Sequence, residues 1–200
     1  MQNRIKMKKN NLIALTGGIG SGKSQALSIL KNLGEKTLNC DGETDKLYKN
    51  RKVIKQLAKI FPHAVRGKVF KRIDKPTVAK TVFSDKQKLK ELTALLTPLI
   101  LQRTLAKAKR LGGRVFIEVP LLFECNAQDE FYRVVVIKRD LNNRISSVIS
   151  RSNITKEQVL ERINAQVDYD GMDLSPYTVI QNDGTPEQLQ KALIDFLQTL

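Results

Sequence analysis

Two hydrophobic periods organise this chain. "NLIALTG", residues 11 to 17, is a short unbroken apolar run closed by glycine, the pattern of a buried strand. Within residues 22 to 33 the spacing becomes helical at Ala26, Leu27, Leu30 and Leu33, and Gly34 closes that helix. "KTLNC" predicts a short second strand. From 85 to 110, Leu89, Leu92, Leu95, Leu96, Leu99 and Ile100 line one face of a long helix. Pro98 is expected to kink or divide it, because proline removes a backbone donor and crowds the preceding turn. Gly112 and Gly113 stop it. "RVFIEVP" and "YRVVVIK" are Val- and Ile-rich runs of the kind found in strands covered on both faces. A helix start is predicted at Thr155, a further strand at "YTVIQN", and a final helix at "TPEQLQKALIDFLQTL". Thr185 caps that last helix and Pro186 occupies its first position. Strands alternating with helices predict a parallel α/β sheet. Residues 51 to 110 carry helical patterns and no good strand, so they read as a helical insertion between the second and third strands. "FPH" at 61 to 63 reads as a helix end, and His63, the only histidine, receives no role.

Composition narrows the class. The chain has 200 residues, 41% hydrophobic and 28% charged, which suits one α/β domain with a small insertion. No apolar run reaches the roughly 18 residues of a membrane helix. The basic start "MQNRIKMKKNN" lacks a signal-peptide core and reads as a frayed lead-in, so the expectation is a cytoplasmic protein with no membrane partner. Cys40 and Cys125 have no metal spacing and read as two buried thiols. The net charge of +15 is uneven: between Arg51 and Arg110 seventeen Lys and Arg face three Asp and Glu, a local +14. Such a field concentrates anionic partners, whether a phosphorylated metabolite or nucleic acid.

The strongest chemical signal is "GGIGSGKS". Gly17, four residues, then Gly22-Lys23-Ser24 match the P-loop pattern G-x-x-x-x-G-K-[ST], with a strand before and a helix after. Glycines let the backbone curl so that its N–H groups point at phosphate oxygens. Lys23 is expected to reach the β- and γ-phosphates, Ser24 to hold Mg²⁺, and the helix start to lend its dipole. Gly17, Gly18, Gly20, Ser21, Gly22, Lys23, Ser24 and Gln25 are therefore the expected ATP site. No N-K-x-D string reads guanine, and motors need more chain. A small metabolite kinase fits best.

Asp41 lies just past the second strand, where α/β sheets place ligands. It could activate an attacking hydroxyl, cap the helix that follows, or do both, since the two roles are compatible. Glu118 ends the third strand and is a candidate Mg²⁺-organising carboxylate, with pairing to a Lys or Arg as its alternative. Beyond it, "VPLLFE" offers an apolar patch, Leu121 to Phe123, at the sheet's C-terminal edge. Arg139, Arg144, Arg151 and Arg162 fall in a helical stretch suited to a lid that neutralises charge on a transferred phosphoryl group.

With these residues in view, the sequence resembles the dephospho-coenzyme A kinase family nearly end to end. "LTGGIGSGKS", "VFSD" at 82 to 85, "VPLLFE" at 119 to 124, "RINAQ" at 162 to 166 and "VIQNDG" at 179 to 184 match in order and spacing. The resemblance implies a three-layer α/β/α P-loop kinase with a parallel sheet, a helical acceptor-binding insertion at 51–110 and a helical lid at about 139–168 inside the core of 1–50 and 111–200. It implies transfer of the ATP γ-phosphoryl group to the ribose 3′-hydroxyl of dephospho-coenzyme A. It assigns the base to Asp41, Asn182 to the nucleotide site, and transition-state charge to Arg151 with Arg144. A monomer is expected. Departures fall mainly on the acceptor and lid side: Asn39, Glu43-Thr44-Asp45, Lys75, Thr97 and Ser147 differ from the family pattern, as does Gln25 after the loop. Rival readings are a related P-loop kinase for another nucleoside or small alcohol, and a nucleotide-gated nucleic-acid-binding protein.

Overall fold

The computed structural model describes residues 11–152 and 154–200, apart from the side chains of Asp41, Gly42, Phe83 and Lys86. The expected frayed lead-in lies outside the described residues. In chain order the elements are β1 (Leu12–Thr16), α1 (Lys23–Asn32), β2 (Lys36–Asn39), α2 (Asp41–Leu47), α3 (Arg51–Ile60), β3 (Val65–Arg66), β4 (Arg72–Ile73), α4 (Lys75–Ser84), α5 (Lys86–Leu111), β5 (Val115–Glu118), β6 (Arg133–Lys138), α6 (Leu141–Ser152), α7 (Lys156–Asn164), β7 (Thr178–Gln181) and α8 (Pro186–Leu197). They form two units, the chain up to Asn39 with Ala108–Leu200, and Cys40–Lys107.

The first unit is built on a five-stranded sheet ordered β2-β5-β1-β6-β7, parallel at every pairing. Its apolar runs are buried because both faces of the strands are covered. Ile13 and Leu15 pack with Ala26 and Leu30 of α1 and with Leu189, Leu193 and Phe196 of α8. Leu12 and Ala14, which alternate with them, are equally buried. Each fully buried Leu or Ile contributes about 2 kcal/mol. Phe116 and Phe196 meet edge to face, with ring centroids 6.5 Å apart. The last helix starts as its sequence predicts: Thr185 and Gln188 form a capping box, with Pro186 in the first turn. The chain leaves β1 toward β5 and β2 on one side, while β6 and β7 lie on the other. The strand order therefore switches at β1, where α/β sheets bind ligands.

The second unit has its own core: Leu47, Val53, Ile54, Leu57, Phe61, Ile73, Val78 and Leu96, flanked by Leu92, Leu95, Leu99 and Ile100. It begins at Cys40 rather than at position 51, because Leu47 of α2 packs into that core. Two sequence expectations are corrected here. Of the kink or division expected at Pro98, the division does not occur, because α5 runs unbroken from Lys86 to Leu111. The helix loses one backbone donor at Pro98, and the apolar face on either side of it stays packed. The segment also contains a strand pair, β3 with β4, antiparallel and two residues each, too short for a period-2 signal.

Candidate active site

The loop after β1 is shaped by close approaches that only glycine permits. Gly17 has φ +142, and a Cβ there would collide with the Ile137 carbonyl of β6. Gly22, at φ +95, is the N-cap of α1, and a Cβ would strike the Asn182 side-chain amide. At Gly18 and Gly20 the obstacle is Arg144: its guanidinium lies against the first and its backbone against the second.

Lys23 is buried, and its Nζ donates to the carbonyl oxygens of Gly17 at 2.7 Å and Gly18 at 2.9 Å. Burial pushes its pKa down to about 8; Glu118 opposes the shift, and Arg144 and Arg151 reinforce it. Ser24 donates its hydroxyl to Glu118 Oε1 at 2.8 Å. Two residues 94 positions apart in the chain are thus brought together, and Glu118 itself is buried. Its expected alternative, a direct ion pair with Lys or Arg, is absent from the ion pairs among the described residues. Asn182, at the end of β7, donates Nδ2 to the Ser21 carbonyl at 2.8 Å and is buried. Ser21 Oγ is buried without a hydrogen-bond partner. Gln25 is exposed on the first turn of α1.

The arginines expected in a lid, Arg144 and Arg151, separate by environment. Arg144 is buried, donates Nε to the Ile19 carbonyl at 3.0 Å, and has its pKa lowered by burial. It braces the loop rather than extending from a free lid surface. Arg151, two turns along α6, is exposed yet close enough to depress Lys23 electrostatically. The Thr155 start is as expected, a capping box with Gln158. Helices α6 and α7 share a small core of Ile145, Val148 and Val159, against which Ile19 of the loop packs.

Other residues at this site carried no sequence-level assignment. Gln166 Oε1 accepts the Ile19 backbone N–H at 2.7 Å. Glu124 Oε1 accepts from the Val167 N–H at 3.1 Å, while its Oε2 is buried without a partner. Both lie in strings the sequence singled out, "RINAQ" and "VPLLFE", so the signal was there without a role. Tyr169 left no such signal. Its hydroxyl bonds Thr16 Oγ1 at 3.1 Å, and burial raises its pKa to about 12. Phe123 is not an open patch but packs on Tyr169 and Tyr177, with centroids 5.8 and 5.2 Å apart.

Asp41 is the first residue of α2, and Cys40 is the N-cap, without a side-chain cap bond. The alternative in which Asp41 caps that helix is thereby corrected; its side chain lies outside the described residues. Glu43, one turn in, is buried and ion-paired to Lys46 at 2.8 Å and Arg103 at 3.5 Å. Cys125 is only half-buried, unlike Cys40. No helix among the described residues is long and apolar enough to cross a membrane.

Comparison with known proteins places this geometry. The family model described as dephospho-CoA kinase matches residues 11–188. A dephospho-CoA kinase of Thermus thermophilus is 33% identical over 183 residues, spanning 91% of this chain and 88% of that protein. A crystal structure from Thermus thermophilus superposes with a TM-score of 0.78 at 32% identity, covering 96% of this chain and 98% of that one. A dephospho-CoA kinase from Campylobacter jejuni gives 0.65 at 25% identity, covering 94% and 96%.

Proposed function

The chain belongs to the dephospho-coenzyme A kinase family, and on that premise we propose how its own residues move a phosphoryl group from ATP to dephospho-coenzyme A. The observation that carries the reading is the loop itself. A buried lysine, two carbonyls, and a serine hydroxyl bonded to a strand-end carboxylate converge where β1 meets α1.

The acceptor atom is the ribose 3′-hydroxyl. Phosphate oxygens compete with the Gly17 and Gly18 carbonyls for the Lys23 ammonium, and backbone N–H groups of Gly18 to Ser24 complete the cradle. Asn182 keeps the loop curled by holding Ser21, and Arg144 keeps Gly18 to Gly20 in place. Arg151 stabilises charge on the phosphoryl group in flight. Asp41 takes the proton of the attacking hydroxyl. The Cys40–Lys107 unit holds the acceptor, whose pyrophosphate suits its cations. Ser24 and Glu118 fit Mg²⁺, because they offer adjacent hard oxygens and Mg²⁺ sites combine one or two carboxylates with substrate phosphates. When bound there, the ion would supply neutralisation of substrate phosphate charge. The reading carries with it a cytoplasmic, monomeric enzyme.

The test is ATP consumption with dephospho-coenzyme A against a panel of nucleosides and small alcohols. Dephospho-coenzyme A alone is expected to stimulate turnover. Asp41→Asn is expected to lower kcat by about a hundredfold or more while ATP affinity stays within a few-fold. Full activity in that variant removes Asp41 as the base. No stimulation by dephospho-coenzyme A removes the acceptor assignment.

A further inference from the structure

The β3–β4 hairpin of the second unit has a firmly held base and an apolar tip. At the base, Ala64 and Ile73 are buried in the unit's core, and the Asp74 N–H donates to the Ala64 carbonyl at 2.9 Å. Arg66 is turned back along the stalk, donating to the His63 carbonyl at 2.8 Å and pairing with Asp74 at 3.3 Å. Gly67, at φ +86, lets the chain turn back with its Cα close to the Phe70 carbonyl. Beyond this stalk Val69 is 84% exposed and Phe70 79%, the most exposed large hydrophobics among the described residues.

The tip is ringed by positive charge. Lys68 and Lys71 flank the apolar pair, Arg72 follows, and all three are exposed. Among the described residues, the ion pairs of this unit are made by other cations, namely Lys46, Arg66, Lys75, Lys88 and Arg103. Arg66 and Arg72 stand directly opposite each other across the strands; Asp74 compensates Arg66, and Arg72 makes none of the ion pairs among the described residues. Helix α3 packs on β4 and carries Lys52, Lys55 and Lys59 on the side away from its buried Val53, Ile54 and Leu57.

We propose that this hairpin is a membrane-contacting tip, in which Val69 and Phe70 enter the acyl boundary of an anionic bilayer while Lys68, Lys71 and Arg72 sit among its lipid phosphates. Two adjacent apolar side chains with cations immediately behind them match the layering of hydrocarbon below charged headgroups. Single-stranded nucleic acid fits less well. It favours a groove with flat aromatic platforms, whereas this tip is convex and half of its apolar pair is aliphatic. The contact is peripheral and needs no membrane span, departs from the expectation of no membrane partner, and does not rest on the acceptor assignment.

Co-sedimentation with vesicles tests it, using pure phosphatidylcholine against equal parts phosphatidylcholine and phosphatidylglycerol at near-physiological salt. The wild-type chain is expected to pellet with the anionic vesicles and stay behind with the neutral ones. Val69→Ser with Phe70→Ser is expected to lower that binding about tenfold or more. Lys68→Gln with Lys71→Gln is expected to lower it by about an order of magnitude and to flatten its salt dependence. The serine pair keeps wild-type kinase turnover in solution, and the charge variant, read by its vesicle binding alone, carries the test if the serine pair fails to fold. The inference is overturned by absence of binding to anionic vesicles, or by binding that neither variant changes. Matching loss of turnover in solution overturns it too, because the tip then serves the acceptor. So does tip-dependent capture of a single-stranded oligonucleotide tighter than that of vesicles.

Discussion

Lys23 is the residue whose environment makes the sharpest demand. Its ammonium is buried, satisfied by two carbonyls, and lowered to about 8 because burial penalises the charge. Phosphate oxygens favour the charged form, so the pKa in the nucleotide complex lies above that of the free protein. Above pH 8 ATP binding then takes up a proton, and affinity falls as pH rises. The expected profile is flat through neutrality and declines above about pH 8 by at most tenfold per pH unit, with the slope absent in Lys23→Met. Calorimetry in buffers of different ionisation enthalpy reads that proton uptake directly, and equal heats in all buffers would contradict it. Lys23, Ser24 and the glycines were legible in the sequence because the loop is a local device: its function depends on spacing along a few residues. Tyr169, Gln166 and Glu124 were not, because each acts through a partner more than forty positions away, at Thr16, Ile19 and Val167.

Among the elements, the caps are where local sequence and local structure agree most closely. Thr185 accepts the Gln188 N–H while the Gln188 side chain returns to the Thr185 N–H, at 3.4 and 2.8 Å. Thr185→Ala is expected to lower global stability by about 1 kcal/mol without changing kcat, measured by denaturant unfolding and a turnover assay. Gly22→Ala is a different kind of change, because it strains a left-handed backbone and drives a methyl group into Asn182. It is expected to weaken ATP binding at least tenfold, since the cradle itself moves, with a stability loss of about 1–3 kcal/mol. The elements misread from sequence were decided by packing. Proline remains inside α5 because Leu95, Leu96, Leu99 and Ile100 hold that helix against a core. Two-residue strands form because Ile73 is anchored there, not because the segment favours extended chain.

For the whole molecule, the charge distribution is the dominant quantity. The +14 of residues 51–110 accounts for nearly all of the net +15. If that field draws in the acceptor, the KM for dephospho-coenzyme A rises with ionic strength more steeply than the KM for ATP, whose phosphates sit in a cradle of short-range hydrogen bonds. Initial rates across a salt series check this, and parallel rises in both constants speak against it. The sequence by itself determined the strand–helix alternation, the phosphate loop and the basic segment, because hydrophobic period, loop spacing and charge are properties of short windows. Only the tertiary structure decided that β1 lies between β5 and β6, that Ser24 meets Glu118, that Arg144 braces the loop, and that Phe70 stands in solvent. Those are contacts between distant windows, set by which apolar faces bury one another, and no single window contains them.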